Sequence, residues 1–221
     1  GLEWNQNLYF SENSCMLFIP YDDSIRGKRI TTTSQPESGV LLDYGIVSNH
    51  IELDLINLSS SGLEWLDSPI ASGTVKPIIM QLNNYKTGST FNMSARLKGH
   101  SANINSSSNH EIKILYNNLN GAQIGQTMNW SGNNFRTINE NYQTLSLDNG
   151  VNIFYLFNSS LDQNSSPYLD YFQLDYAKKL NFDENYSFFS PIEGQNVRFN
   201  FERKNPNGVF FWDISDPTNV H

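Results

Sequence analysis

The sequence predicts an all-β protein: an antiparallel two-sheet β-sandwich, jelly-roll-like or Ig-like, with an N-terminal β arm. Three observations carry this. Short runs alternate apolar and polar residues, the period of a strand with one wet face. Clusters of Asn, Gly, Ser and Pro break those runs about every 8–12 residues, the rhythm of sandwich strands. No stretch sustains a helical period of 3.6 residues. Roughly ten to twelve short strands are expected, in an order that the sequence does not choose.

Composition narrows the class. The chain has 221 residues, long enough to bury a sizeable core. Only 16% of residues are charged, against 38% hydrophobic, so Asn, Ser and other uncharged polar groups must cover much of the surface. That balance is common in extracellular and cell-envelope β-proteins. Aromatics reach 13%, with 14 Phe and 11 Tyr, which suits strands. A net charge of −8 argues against nucleic acid as a partner, since phosphate binding needs a basic face. No apolar run approaches the ~18 residues of a membrane span, so no transmembrane segment is expected. Cys15 is the only cysteine, which rules out an internal disulfide; it reads as a small buried apolar residue. Gly1 reads as a scar left by removal of a signal or an upstream domain.

The elements follow in order. Asn7 to Phe10 and Cys15 to Pro20 are short apolar runs, the strands of an arm over residues 1–45. The sandwich domain is expected over 46–204. In His50 to Leu58, Ile51, Leu53 and Leu55 alternate with Glu52, Asp54 and Ile56. Ile78, Met80 and Leu82 mark the buried face of the next strand. Phe91, Met93, Ala95 and Leu97 give the cleanest alternation in the chain, opposite Asn92, Ser94, Arg96 and Lys98. His110 to Asn117 buries Ile112, Ile114 and Tyr116. Asn120-Gly121 then predicts a type I′ hairpin turn, in which both central residues need positive φ. Ala122 to Met128 is the return strand, closed by Trp130-Ser131-Gly132. Thr144 to Leu147 is read as a short strand. Val151 to Asn158, apolar on both faces, is read as a central one. Tyr168 to Tyr176, Tyr186 to Phe189, Val197 to Phe201 and Val209 to Ile214 complete the set. Residues 205–221 are taken as a final strand and a linker.

The search for chemistry is mostly negative. Glu52-Leu53-Asp54 places two carboxylates two residues apart on one strand, a pairing that can run glycoside hydrolysis. The third acid of the jelly-roll β-glucanase pattern is missing, because Ile56 and Asn57 stand in its place. His50, His100, His110 and His221 show no metal-ligand spacing. Asp22, Asp23, Asp148 and Asp162 lie in predicted loops that offer oxygens to a structural calcium, without the spacing of a calcium loop. Trp4, Trp65, Trp130 and Trp212 are read as packing residues ahead of a sugar-stacking platform. No catalytic residue, cofactor site or metal site is assigned.

Three ordered blocks resemble one family. The first runs from Gly99-His100 through His110-Glu111-Ile112-Lys113-Ile114 and Asn120-Gly121 to Trp130-Ser131-Gly132. The second is Leu169-Asp170-Tyr171, continuing through Tyr176 to Lys178-Lys179-Leu180. The third is Trp212-Asp213-Ile214-Ser215-Asp216-Pro217. Gly27-Lys28-Arg29-Ile30 and Ser61-Gly62-Leu63-Glu64-Trp65 add upstream matches. Together they resemble the β-sandwich region that precedes the peptidase domain in gingipain-like cysteine peptidases, nearest the PorU-type sortases of the Bacteroidetes type IX secretion system. Leu63 and Lys179 stand where that family has Arg, and Asn117-Asn118-Leu119 is an insertion before the turn.

The resemblance implies a non-catalytic region, because the family's catalytic His and Cys lie in the downstream peptidase domain. It implies a periplasmic, outer-membrane or cell-surface location in a Gram-negative bacterium. The implied partners are that downstream peptidase domain, and secreted cargo or secretion-system proteins. It makes His110, Asn120, Gly121, Trp130, Asp170, Tyr176, Trp212, Asp213, Asp216 and Pro217 structural family positions. His110 and Trp130 are expected to pin the hairpin onto the sandwich. The alternative reading is a carbohydrate-binding or adhesion sandwich of the bacterial cell envelope.

Overall fold

The computed structural model describes residues 38–58, 60, 62, 64–101, 109–143, 145–182, 185–202 and 211–214. The arm strands expected before Pro20, together with Trp4, Cys15, Asp22, Asp23, Asp216, Pro217 and His221, lie outside these residues.

Among the described residues there are ten strands: β1 Val40–Leu42, β2 Tyr44–Glu52, β3 Val75–Leu82, β4 Phe91–Lys98, β5 His110–Tyr116, β6 Gln123–Trp130, β7 Phe135–Tyr142, β8 Gly150–Asn158, β9 Tyr168–Lys179 and β10 Val197–Phe199. Eight of them form two antiparallel four-stranded sheets, ordered β2-β9-β4-β7 and β3-β8-β5-β6. Within these sheets β5–β6 is the only pair of consecutive strands that are hydrogen-bonded neighbours; every other connection from β2 to β9 crosses between the sheets. That order is the eight-stranded jelly roll, so the structure decides between the two sandwich types left open above. β1 and β10 pair in parallel beside it, Val40 opposite Val197 and Leu42 opposite Phe199.

The core lies between the sheets and follows the alternation. Ile78, Met80 and Leu82 on β3, Phe91, Met93, Ala95 and Leu97 on β4, and Ile112, Ile114 and Tyr116 on β5 are all buried. They meet Phe154 and Leu156 of β8 and Phe172, Leu174 and Tyr176 of β9. At the β1–β10 end a smaller aromatic cluster packs, with Phe188 against Phe199 at 4.9 Å and Phe182 against Phe201 at 5.1 Å between centroids. Gly45 makes room for it: a Cβ there would stand 2.5 Å from the Phe188 ring.

Several elements differ from the sequence reading. The strand expected at 50–58 is Tyr44–Glu52, because its partner β9 pairs with residues 44–52 and no further; Leu53 and Leu55 are exposed beyond its end. β7 was not expected. It is an edge strand in which Ile138 alone is buried, so its alternation is weak. Residues 145–148 carry no strand, although Leu147 is buried in the core. Residues 185–188 and 211–214 are likewise irregular, with Phe189 making a single bridge to Ile46. The Asn120-Gly121 turn is not type I′. Neither residue has positive φ; Asn117 does, at 58°. The turn closes through Gly121 N–H donating to Asn118 O at 2.9 Å, which centres it on Leu119-Asn120. Gly121 is required for a different reason: a Cβ would collide with the Tyr116 carbonyl oxygen. The three residues inserted before Asn120 lengthen the loop past the two-residue geometry.

The outer faces of the two sheets are unlike. On β2-β9-β4 the register aligns Ser48, Asp175 and Asn92, then His50, Gln173 and Ser94, then Glu52, Tyr171 and Arg96. On β3-β8-β5 it aligns Pro77, Tyr155 and Leu115, flanked by Ile79 opposite Ile153 and Val75 opposite Phe157.

Candidate functional site

Two clusters gather the chemically capable side chains. The first is the junction around His110. β5 and β6 place His110 opposite Trp130, and the two rings meet at 4.8 Å between centroids. His110 is fully buried. Its Nε2–H donates to Gly132 O at 2.9 Å, which leaves Nδ1 to accept from Ser165 Oγ at 2.8 Å. Ser165 Oγ in turn accepts from Asn158 Nδ2 at 3.1 Å. Burial holds the His110 imidazole below its usual pKa, so the neutral ring that this bonding needs is also the favoured one. Asn109 ties the same junction together: its Oδ1 accepts from Gly132 N at 3.0 Å and its Nδ2 donates to Asp162 Oδ2 at 3.0 Å. Gly99 fits between the rings. A Cβ there would lie 2.7 Å from Trp130 Nε1 and 2.9 Å from His110 Nε2.

The Ser165–His110 contact has the distance of a nucleophile–base pair. Both residues are buried at 1% exposure or less, and the second ring nitrogen is committed to a backbone carbonyl. This geometry fastens the β5–β6 hairpin to the loop before β9.

The second cluster covers the outer face of β2-β9-β4. Ser48 hydrogen-bonds Asp175, Gln173 Nε2 donates to Asp175 Oδ1 at 2.9 Å, and the Gln173 amide oxygen faces His50 Nδ1 at 3.1 Å. His50 Nε2 lies 3.2 Å from Glu52 Oε2, and the ring stacks on Tyr171 at 5.2 Å. Next to it the Asp170 carboxylate is buried beside Arg96 Nη1 at 2.9 Å. Burial is the main force that pushes the Asp170 pKa up to about 6. Arg96 pulls the other way, and the nearby charges of Glu52, Asp54 and Glu64 add to the rise. Arg96 and Lys98 both sit over the Phe135 ring, at 3.9 and 4.4 Å from its centroid. The described part of the 53–67 segment contacts this end of the face. It closes on itself through the Ile56–Leu66 bridge, joins β9 by Asp67 N–H to Leu169 O, and reaches β4 through a Glu64–Lys98 ion pair at 3.1 Å.

The family positions therefore fall in different places. His110 and Trp130 share the junction. Asn120 and Gly121 stand at the far end of the hairpin. Asp170 lies beneath the outer-face cluster. Tyr176 is in the core, 6.4 Å from Tyr85 between centroids. Trp212 and Asp213 are exposed. Glu52 is held by His50, while Asp54 lies past the strand end and is exposed. Asp148 and Asp162 accept from Asn117 and Asn109 side chains. Among the described residues no group of three or more His, Cys, Asp or Glu is arranged to hold a metal ion. Trp65 is 38% exposed and Trp212 is 65% exposed, whereas Trp130 packs on the core. Sequence reasoning missed Ser165 and Asn158, which sit 55 and 48 positions from His110. It also missed the cross-strand run from Ser48 to Glu52. One local signal was present: His50 and Glu52 fall on the same strand face.

No protein-family model matches the chain, and no curated protein matches it by sequence. Among solved structures, PorU from Porphyromonas gingivalis, in a dimeric latent form, matches with a TM-score of 0.64 at 14% identity. The match covers 78% of this chain and 17% of the PorU chain. At that identity it shows a shared fold, a PorU-like β-sandwich. A family 35 carbohydrate-binding module from an environmental isolate matches with a TM-score of 0.36 at 17% identity, over 62% of this chain and 88% of the module. The family 35 module of Cellvibrio japonicus Abf62 matches with a TM-score of 0.36 at 12% identity, over 59% and 91%. Scores that low bear on neither fold nor function here.

Proposed function

We propose that the chain is a non-catalytic β-sandwich region of a secreted, gingipain-like cysteine peptidase of the PorU type. The parent protein acts in secretion and sorting at the envelope of a Gram-negative bacterium. In it this region supports the peptidase domain or holds cargo. What carries the reading is the jelly roll shared with PorU over 78% of the chain. The ordered motif blocks agree with it, as does the role of His110, Ser165 and Gly99 as a sealed junction rather than an open site.

The gene tests the reading. The reading frame is expected to continue past His221 into an α/β segment that carries a His and a Cys. A stop codon there, or a run into glycosidase modules, overturns it. The isolated chain is expected to hydrolyse neither peptide nor glycan substrates.

A carbohydrate-binding or adhesion role is the second reading. It is favoured by the two neighbouring exposed rings of Phe211 and Trp212, at 56% and 65% exposure. Glycan-array binding that is lost in Trp212→Ala would establish it.

A further inference from the structure

The sequence holds three Asn-Gly pairs: Asn120-Gly121, Asn149-Gly150 and Asn207-Gly208. The last lies outside the described residues. Such a pair is chemically labile, because glycine has no side chain to shield its backbone nitrogen from the amide carbon of the asparagine before it. In both described pairs the asparagine is exposed, so access of water does not separate them. Their hydrogen bonds do. Asn149 Oδ1 accepts from Tyr85 N at 2.6 Å and its Nδ2 donates to Tyr85 O at 3.2 Å. Both ends of that amide are clamped to a residue only 1% exposed, and Gly150 stands inside β8, opposite Leu82 of β3.

Asn120 has no such clamp. Its backbone N–H donates to Asn118 Oδ1 at 2.9 Å, but among the described residues its side-chain amide has no partner. Asn117 in the same loop is tied at both ends: Nδ2 donates to Asp148 Oδ2 and Oδ1 accepts from Ile153 N. The Gly121 nitrogen is committed only to the turn bond with Asn118 O. Nor can the glycine be exchanged for a shielding residue, because a Cβ there would lie 2.1 Å from Tyr116 O. The fold thus demands the labile pair at this tip and leaves its amide loose.

We propose that Asn120 is a site of spontaneous deamidation and isoaspartate formation, and that Asn149 is held out of the same reaction by its two bonds to Tyr85. The Gly121 nitrogen bonds to Asn120 Cγ, the Cγ–Nδ2 bond breaks, and the displaced NH2 group leaves as ammonia with the Gly121 amide proton. Water then opens one or other carbonyl–nitrogen bond of the cyclic imide. One opening gives aspartate; the other gives isoaspartate, which lengthens the main chain by one carbon. Either product adds a negative charge to a chain that already carries −8.

Ageing the purified chain in mildly alkaline buffer, followed by tryptic mapping with tandem mass spectrometry, tests the proposal. Cleavage after Lys113, Arg136 and Lys178 puts the two described pairs in separate peptides. In the folded chain Asn120 is expected to convert at least about tenfold faster than Asn149, since two hydrogen bonds must break before the Asn149 amide can turn to Gly150 N. In urea, where those bonds are gone, the ratio is expected to fall to about one. Equal rates in the folded chain would overturn the site. So would an Asn120 that stays intact when folded and converts only in urea. A gap that persists in urea would overturn the protective role of Tyr85 by tracing the difference to neighbours in sequence.

Discussion

Two residues show how a single side chain is used here. Trp130 joins three contacts: its ring lies against His110, its indole N–H donates to Asn134 O at 3.1 Å, and its edge fills the space that Gly99 leaves. Trp130→Ala would open a cavity at the seam between the hairpin and the rest of the sandwich. Because the ring is half-buried, the expected loss is about 2–3 kcal/mol, below the range for a fully buried Trp. Thermal or urea unfolding measures it, and an unchanged midpoint would show that the ring is not a packing element. Asp170 makes the other case. Its pKa is raised to about 6 in the folded chain, above the ordinary 3.8. The folded state therefore binds the proton more tightly, and the stability this gives is full below about pH 4 and lost as pH rises through 6. His110 has the opposite sign, since its lowered pKa makes acid destabilising. The wild-type pH profile mixes the two, so the informative quantity is the difference between wild type and Asp170→Asn. The variant is expected to gain on the order of 2–3 kcal/mol relative to wild type between pH 4 and pH 7. A difference that stays flat across that window would mean the carboxylate ionises freely.

At the scale of elements, β6 is shaped by one glycine. The register between β5 and β6 shifts between Ile112 and Ile114, so that β6 bulges across Gly125, whose φ is +68°. A Cβ at that position would lie 2.7 Å from Tyr142 Oη and 3.1 Å from Ile138 Cδ1. The bulge thus lets one sheet edge bend onto β7, the edge of the other. Gly125→Val places a β-branched residue in the left-handed region and against β7. A loss of about 2–3 kcal/mol is expected in chemical denaturation, and a cost near zero would remove the bulge from this account. The same elements show what sequence alone made legible. β3, β4 and β5 were readable because each buries one face, and burial writes itself as alternation. β7 was not, because an edge strand with one buried side chain leaves little pattern. The start of β2 was missed because Tyr44 to Ser48 is held by its pairing with β9, not by its own periodicity. Of the candidate sites, the His110–Trp130 pair was visible as the two ends of one hairpin. Its partners Ser165 and Asn158 were not, since nothing local marks a serine or an asparagine as a hydrogen-bond relay. The Ser48–Asp175–Gln173–His50 run needed the cross-strand register, which joins residues more than 120 positions apart.

For the whole molecule, the jelly-roll order explains why the sheets are difficult to infer from neighbouring segments. Nearly every connection leaves its sheet, so adjacent stretches of sequence are seldom adjacent strands. It also gives the molecule two broad outer faces with different chemistry, one bound up in its own hydrogen bonds and the other mixing the apolar side chains of β8 with an ion pair of Lys113 and Glu111 on β5. The small β1–β10 pair has a mechanical meaning in this setting. The two strands run parallel, with Val40 N–H donating to Asn196 O at 3.0 Å and Asn200 N–H donating to Leu42 O at 2.7 Å. Tension along the polypeptide pulls on the first end of β1 and the last end of β10, which lie at opposite ends of the pair. Such a load shears all of its hydrogen bonds together instead of peeling them one by one. The jelly roll is thereby clasped where the chain enters and leaves it, and traction from flanking segments meets that clasp before it reaches the core.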